Sequence, residues 1–458
     1  MKMRFENLIL LLLLLVAASV PVQAQTNFLV WQAHRNLVTA DIHGEPLWPL
    51  LEDVAHQTGW HIFVEPTAKR TVSVKFRDLP PGDALSKLLG DLNFAMVIQT
   101  NGPQELYVFA TSRAAATRQI NPAPAKPAAP KHVPNELVLK LKPGADIDAV
   151  AKSVGAKVIA RNDKLGIYRL QFGDATSTDT ALASLQNNPD VSSVEYNYLF
   201  DPPVPAQQLA NAPVPPVTLT LDQNVTSDPC HPIVGLIDTG VQSLGSQLDP
   251  FLMPPVNVSG ETNLSVSSSF PTHATAMAET ILRAISQQST SSGIKILPVD
   301  VYGSSEAAST WNVALGVQAA VDGGATVLNM SLSGTTDSAI LDSIIQQALA
   351  KGVVIFAAAG NVPVNTPTYP AALPGVTAVT ALGAPGQLAS YANYGSFVEM
   401  ALPGSSVIYL GNQAYVVQGT SPATAYASGA AAGFKGVNCL PWSQIESTMQ
   451  QRFPVPQR

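Results

Sequence analysis

Charged side chains are scarce in this chain. Asp, Glu, Lys and Arg make up 12% of its 458 residues, about half the share of an ordinary soluble protein, while 46% of the residues are hydrophobic. The surface must therefore rely on Ser, Thr, Asn and Gln, as in many exported proteins. A formal net charge of -7 and the lack of a basic stripe leave nothing to displace counterions from a phosphate backbone, which argues against nucleic acid as a partner. Long apolar runs are also few. Leu8 to Val20 is one; it follows Lys2 and Arg4, is too short to cross a bilayer comfortably, and leads into Val22, Gln23 and Ala24, a small-residue cleavage pattern. Residues 1–24 read as a signal peptide, and no later segment is apolar for long enough to span a membrane. Cysteine is nearly absent: Cys230 and Cys439 stand alone. In an oxidising compartment the two could pair.

The length accommodates two or three domains. Composition divides them, because Ala114 to Pro134 and Asp201 to Pro216 are rich in Pro and poor in residues that could build a core. The resulting organisation is a folded segment at 27–113, a Pro/Ala-rich linker at 114–134, a second folded segment at 135–200, a linker at 201–229 and a large segment at 230–458.

From Pro232 onward, buried strands at Ile233 to Ile237, Lys295 to Val301, Thr326 to Met330 and Val353 to Ala358 alternate with helical stretches. This is the pattern of an α/β fold, a mostly parallel sheet with helices on both faces. Chemistry in such sheets belongs at the C-terminal strand ends. Asp238 follows its strand in V-G-L-I-D-T-G, His273 opens a helix in P-T-H-A-T-A, Ser421 opens another in G-T-S-P-A-T-A, and Asn361 ends V-V-I-F-A-A-A-G-N. The chain order Asp, His, Ser inside these blocks resembles the subtilisin-like serine proteases. That resemblance implies a catalytic triad of Asp238, His273 and Ser421, with Asn361 as an oxyanion-hole donor. It also implies that Ser331, Leu332, Ser333 and Gly334, in V-L-N-M-S-L-S-G, line the groove for an extended substrate.

Two further segments resemble known modules. E-L-V-L-K-L-K-P-G, a helix, a strand pair at Ala156 to Asn162 and Gly166 to Phe172, another helix and N-N-P-D-V-S-S-V-E-Y-N-Y are similar to the inhibitory prodomain of subtilisin-like proteases. Such a prodomain implies an intramolecular inhibitor whose tail lies in the substrate groove as an added strand. Residues 27–113 alternate strand and helix: strands at Leu37 to Ile42, Trp60 to Val64, Val72 to Phe76 and Glu105 to Ala110, helices at Pro46 to Gln57 and Pro81 to Leu92. Their phrases D-I-H-G-E-P-L-W-P-L-L and L-P-P-G-D-A-L-S-K-L-L resemble the short N-terminal domain of secretins and TonB-dependent transducers. That module implies an envelope protein partner in a bacterium with two membranes. Both small segments read as α+β domains.

There are departures from the subtilisin pattern. Phe270 and Pro271 replace a His and a Gly before the catalytic His, so the helix start that aims His273 could differ. Ala425 stands where a Pro is usual, and Gln287 to Gly293 holds no carboxylates, so neither a calcium loop nor any other metal or cofactor is expected. In such a fold Cys230 and Cys439 come to the sheet end away from the active site, which predicts a disulfide. The reading is an exported serine endopeptidase, periplasmic or secreted, acting on proteins or peptides and made as a self-processed zymogen that cuts itself between Tyr198 and Asp228. The alternative from another class is a catalytically inactive scaffold that binds proteins in a transport or signalling complex.

Overall fold

The computed structural model describes residues 27–456, apart from 33–36, 98–103, 121–130, 202, 210–218, 220, 225, 227–229, 246, 262–269, 384–385 and 411–412. The signal-peptide segment and much of the expected maturation stretch lie outside the described residues. The chain divides into two compact units, Met1–Ala125 and Lys126–Arg458.

In the first unit β1 (Phe28–Gln32), β2 (Leu37–Pro46) and β4 form an antiparallel sheet, with α1 (Leu47–Thr58) and β3 (His61–Val64) between β2 and β4 (Thr71–Leu79) in the chain. α2 (Pro81–Leu89), β5 (Asn93–Val97), β6 (Glu105–Phe109) and β7 (Arg118–Ile120) complete it, and the second sheet has the order β5-β6-β3-β7. Leu47, Leu50, Leu51 and Val54 recur at helical spacing and are buried with Leu85, Leu88 and Leu89 of α2. The linker expected from 114 onward begins later than composition suggested. Arg118–Ile120 carries too few apolar residues to signal a strand, yet it pairs with Ile62 to Val64 of β3 and buries Ile120.

The second unit opens with β8 (His132–Leu141), α3 (Ile147–Ser153), β9 (Lys157–Asn162), β10 (Ile167–Gln171), α4 (Ala175–Leu185) and β11 (Val191–Phe200). Leu137, Leu139 and Leu141 face the two helices of this middle domain. Val138 and Ile167, on the other face, enter a core shared with the C-terminal domain. Composition misjudged the next stretch as well: β12 (Gln207–Gln208) and β13 (Asp222–Gln223) each pair with the C-terminal domain, and Leu221 is fully buried. Proline lacks an N–H, but Gln207 and Gln208 between prolines retain theirs and can join an exposed strand edge.

The C-terminal domain contains β14 (Ile233–Asp238), β15 (Val256–Asn257), α5 (His273–Ser286), β16 (Ser291–Ser292), β17 (Lys295–Asp300), β18 (Ala308–Ser309), α6 (Thr310–Asp322), β19 (Val327–Met330), α7 (Ala339–Ala350), β20 (Val354–Ala358), β21 (Thr377–Leu382), β22 (Met400–Pro403), β23 (Ser405–Leu410), β24 (Gln413–Gln418), α8 (Thr420–Asn438) and α9 (Trp442–Arg452). Seven of its strands form an all-parallel sheet in the order β15-β17-β14-β19-β20-β21-β22. Both faces are covered, so strands such as Val354–Ala358 are apolar throughout rather than alternating. α5 and α8 cover one face, while α6 and α7 cover the other. α5 and α8 cross closely because Gly429 faces the Ile281 carbonyl; a Cβ there would stand 2.5 Å from that oxygen. Among the described residues no helix is long and apolar enough to cross a membrane.

Candidate active site

Three parallel strands end at one edge of the sheet, and each delivers a polar group. β14 ends at Asp238, β19 runs into Ser331, and β20 leads through Gly360 to Asn361. Asp238 is 1% exposed, and the Thr239 N–H donates to its Oδ1 at 2.7 Å. His273 Nδ1 lies 2.8 Å from both Asp238 carboxylate oxygens. This fixes the ring's orientation; the other ring nitrogen, Nε2, is buried and has no hydrogen-bond partner among the described residues.

The altered block before His273 does not disturb the helix start. Thr272 is the N-cap of α5: its hydroxyl oxygen accepts from the Thr275 N–H at 3.1 Å and donates to the Gly240 carbonyl at 2.7 Å. Gln242 braces the same turn, its Oε1 accepting from the Thr272 N–H at 2.8 Å. The Thr239 hydroxyl accepts from the Ala274 N–H at 3.0 Å, tying α5 to the end of β14.

Ser421 occupies the first turn of α8 and is 6% exposed. Its hydroxyl donates to the Ser331 carbonyl at 3.3 Å rather than to His273. Ser331 in turn donates through Oγ to the Ser421 carbonyl at 3.2 Å and accepts from Asn329 Nδ2 at 2.9 Å. Asn361 is held by its oxygen, which accepts from the Thr420 N–H at 2.8 Å. The Ser421 N–H, in the first turn of α8, has no intrahelical acceptor. Gly419, at φ 147°, lets the backbone pass Asn361: a Cβ there would come within 3.3 Å of the amide.

The expected groove residues fall into two kinds. Ser331 and Leu332 are buried, at 4% and 3% exposure, while Ser333 and Gly334 offer backbone to the middle domain and to Tyr369. Gly334 and Tyr369 exchange backbone hydrogen bonds at 2.8 and 2.9 Å, and the Ser333 carbonyl accepts from the Asp201 N–H at 3.1 Å. Far from this edge, a disulfide joins Cys230 and Cys439, whose Cα atoms are 5.5 Å apart. Among the described residues no group of three or more His, Cys, Asp or Glu side chains is placed to hold a metal ion.

The polar frame of Thr239, Gln242, Thr272, Thr275 and Thr420 was not legible in the sequence. Such residues are common at helix starts, and the register that brings them together is not local. Asp300 is another unanticipated neighbour: its Oδ1 accepts from the Tyr302 and Gly303 N–H groups, and burial raises its pKa, with the nearby Asp238 carboxylate adding to the effect.

Residues 231–452 match the subtilase family model. Over 206 residues the chain is 31% identical to subtilisin DY of Bacillus licheniformis, covering 74% of that protein and 43% of this one. The chain is a subtilase. Like its family it is a subtilisin-like serine protease. A thermophilic serine proteinase of Bacillus sp. (strain AK1) is 28% identical over 313 residues, 66% of this subtilase and 78% of that relative. Residues 118–197 match the fervidolysin N-terminal prodomain. In fold, the subtilase is similar to fervidolysin from Fervidobacterium pennivorans, a keratinolytic enzyme related to subtilisin, with a TM-score of 0.53 at 19% identity over 69% of this chain and 57% of that one. It is also similar to the epidermin leader peptide processing serine protease of Staphylococcus aureus, with a TM-score of 0.52 at 16% identity over 69% and 91% of the two chains. The subtilase thus carries a prodomain ahead of its protease domain, an arrangement consistent with a zymogen.

Proposed function

We propose that this subtilase is an exported serine endopeptidase, made as a self-processed zymogen, and that Asp238, His273 and Ser421 form its triad. The observation that carries the reading is the buried His273 ring, fixed through Nδ1 by both Asp238 oxygens at 2.8 Å and open at Nε2. A serine hydroxyl is a weak nucleophile at neutral pH, so Ser421 turns from the Ser331 carbonyl to His273 Nε2 and gives up its proton as it adds to the substrate carbonyl. The Asp238 carboxylate keeps the ring in the required tautomer and stabilises the imidazolium. The Asn361 amide and the Ser421 N–H hold the oxyanion. Collapse expels the amine, which takes the proton from His273, and water then frees the acid from Ser421 by the reverse route.

Ser331, Leu332, Ser333 and Gly334 supply the strand on which an extended substrate lies, and the Ser333 carbonyl already accepts an N–H from Asp201 in that manner. The apolar start of the sequence, followed by a small-residue cleavage pattern, supports export to the periplasm or beyond. Residues 27–113, with their secretin- and transducer-like phrases, serve to dock the zymogen on an envelope protein. A serine-directed phosphonate probe tests the chemistry. The processed protein should be labelled stoichiometrically and its Ser421→Ala variant not at all; equal labelling of the two would sink the assignment.

A further inference from the structure

The chain that leaves the prodomain approaches the catalytic centre from both sides in strand register. On one side the Phe200 ring lies against Gly334, where an added Cβ would meet it at 3.1 Å. One residue on, the Asp201 N–H donates to the Ser333 carbonyl at 3.1 Å, and the Tyr302 hydroxyl donates to the Asp201 carbonyl at 3.3 Å. On the other side Gln207 and Gln208 pair antiparallel with Val416 and Tyr415, and the Leu209 N–H donates to the Ala414 carbonyl at 2.9 Å. β24 then runs through Gln418 and Gly419 toward Ser421.

Rungs recur at every second residue of an antiparallel ladder. From Asp201 opposite Ser333, the next rung falls at Pro203 opposite Ser331, whose carbonyl receives the Ser421 hydroxyl. From Leu209 opposite Ala414 and Gln207 opposite Val416, the next rung falls at Pro205 opposite Gln418. The two ladders converge on the Pro203–Val204 peptide bond. Both inner rungs call for an N–H, and proline has none. The Ser331 carbonyl is left to the serine's own hydroxyl, and His273 Nε2 stays unpartnered among the described residues.

We infer that Asp201 and Pro203–Leu209 act as a proline-guarded strap over the active site. Its outer rungs hold it on both sides of Ser421, while Pro203 and Pro205 withhold the two rungs that would seat the intervening bond for attack. The inference rests on the reading of Ser421 as nucleophile. Cutting that bond would join Ser421 Oγ to the Pro203 carbonyl carbon and pass the serine proton through His273 Nε2 to the Val204 nitrogen. Water would then release the Pro203 carboxylate. Because the guarded bond is slow to react in its own molecule, release of the protease depends on a second copy cutting the chain elsewhere.

The test follows intact mass at several protein concentrations for the full chain, its Pro203→Ala/Pro205→Ala variant and the single Pro203→Ala variant, each also exposed to a serine-directed phosphonate. The double variant should split between positions 203 and 204 roughly ten- to a hundredfold faster than the parent, from two restored hydrogen bonds, at a rate independent of concentration. The single variant should fall between, and the parent's rate per molecule should rise with concentration. Equal rates in parent and double variant, with both proteins taking the probe, overturn the strap but spare Ser421 as nucleophile. So does a concentration-independent cut between 203 and 204 in the parent. If no protein is cut and none takes the probe, the reading of Ser421 fails and the strap with it. Thermal melts of all three should coincide, which separates these outcomes from misfolding.

Discussion

The Asn361 side-chain oxygen accepts from the Thr420 N–H at 2.8 Å, so the side chain keeps its amide nitrogen as a donor. If Asn361 is an oxyanion donor as proposed, replacing it with Ala should lower kcat by on the order of 100- to 1000-fold with little change in KM. Asp238→Asn should cost about 10,000-fold, because an amide there favours the wrong His273 tautomer. Steady-state kinetics on a peptide substrate, with folding checked by circular dichroism, decides both. The sequence displayed the candidate residues but not the polar frame around them. Asp238, His273, Asn361 and Ser421 stand in blocks whose order is informative, whereas Thr239, Gln242 and Thr272 matter through contacts made some thirty residues away, at 3.0, 2.9 and 2.7 Å. Nothing local distinguishes these residues from ordinary turn and cap residues.

Helices and strands place constraints that single residues do not reveal. α5 and α8 carry His273 and Ser421, and their close crossing depends on Gly429, whose absent Cβ leaves room for the Ile281 carbonyl. Gly429→Val should destabilise the protease domain by about 1–3 kcal/mol through overpacking and lower activity with it, as denaturant melts and kinetics can show. β11 of the prodomain brings Glu195 to the N-terminus of α7, where its carboxylate accepts from the Ser338 hydroxyl and, at 3.5 Å, from the Ile340 N–H. Burial nevertheless pushes Glu195 up to about 7 from an ordinary value of 4.5, with the neighbouring Asp337 carboxylate adding to the rise and the Ser338, Ala339 and Ile340 donors opposing it. Tyr198, raised by burial and by the nearby Glu195 carboxylate, stays neutral in this range. Docking therefore takes up a proton. It should be strongest below the free value, weaken as pH rises to about 7, and level off above that. After the maturation cut, size-exclusion chromatography should find more retained prodomain at pH near 5 than at pH near 8, and Glu195→Gln should flatten the difference. A reversed trend would contradict the burial argument. The long buried strands and amphipathic helices were legible from apolar periodicity, while β7, β12 and β13 were not. Each has two or three residues and is held by a partner strand rather than by its own pattern.

The protease domain is closed on itself by a link that spans most of it. Cys230 and Cys439 are 209 residues apart in sequence, and tying so long a loop can stabilise the folded chain by several kcal/mol, up to ~5 in the chain-entropy model. Cys230→Ser/Cys439→Ser should melt markedly lower than the parent, and added reductant should lower the parent and leave the variant unchanged. The largest domain was legible as a doubly covered parallel sheet because its strands are apolar on both faces. The path of the chain between prodomain and protease was not, because composition reports a shortage of core-forming residues and is silent about a strand borrowed from a neighbour. As a whole, the chain is proposed to be a protease precursor whose processing, within one molecule or by a second copy, depends on Ser421. Intact mass over time, for the purified chain without its first 24 residues beside its Ser421→Ala variant, tests it most directly. The parent should be shortened by cuts between Tyr198 and Asp228 while the variant stays whole. Both proteins remaining whole, with the parent also refusing a covalent serine probe, would contradict it.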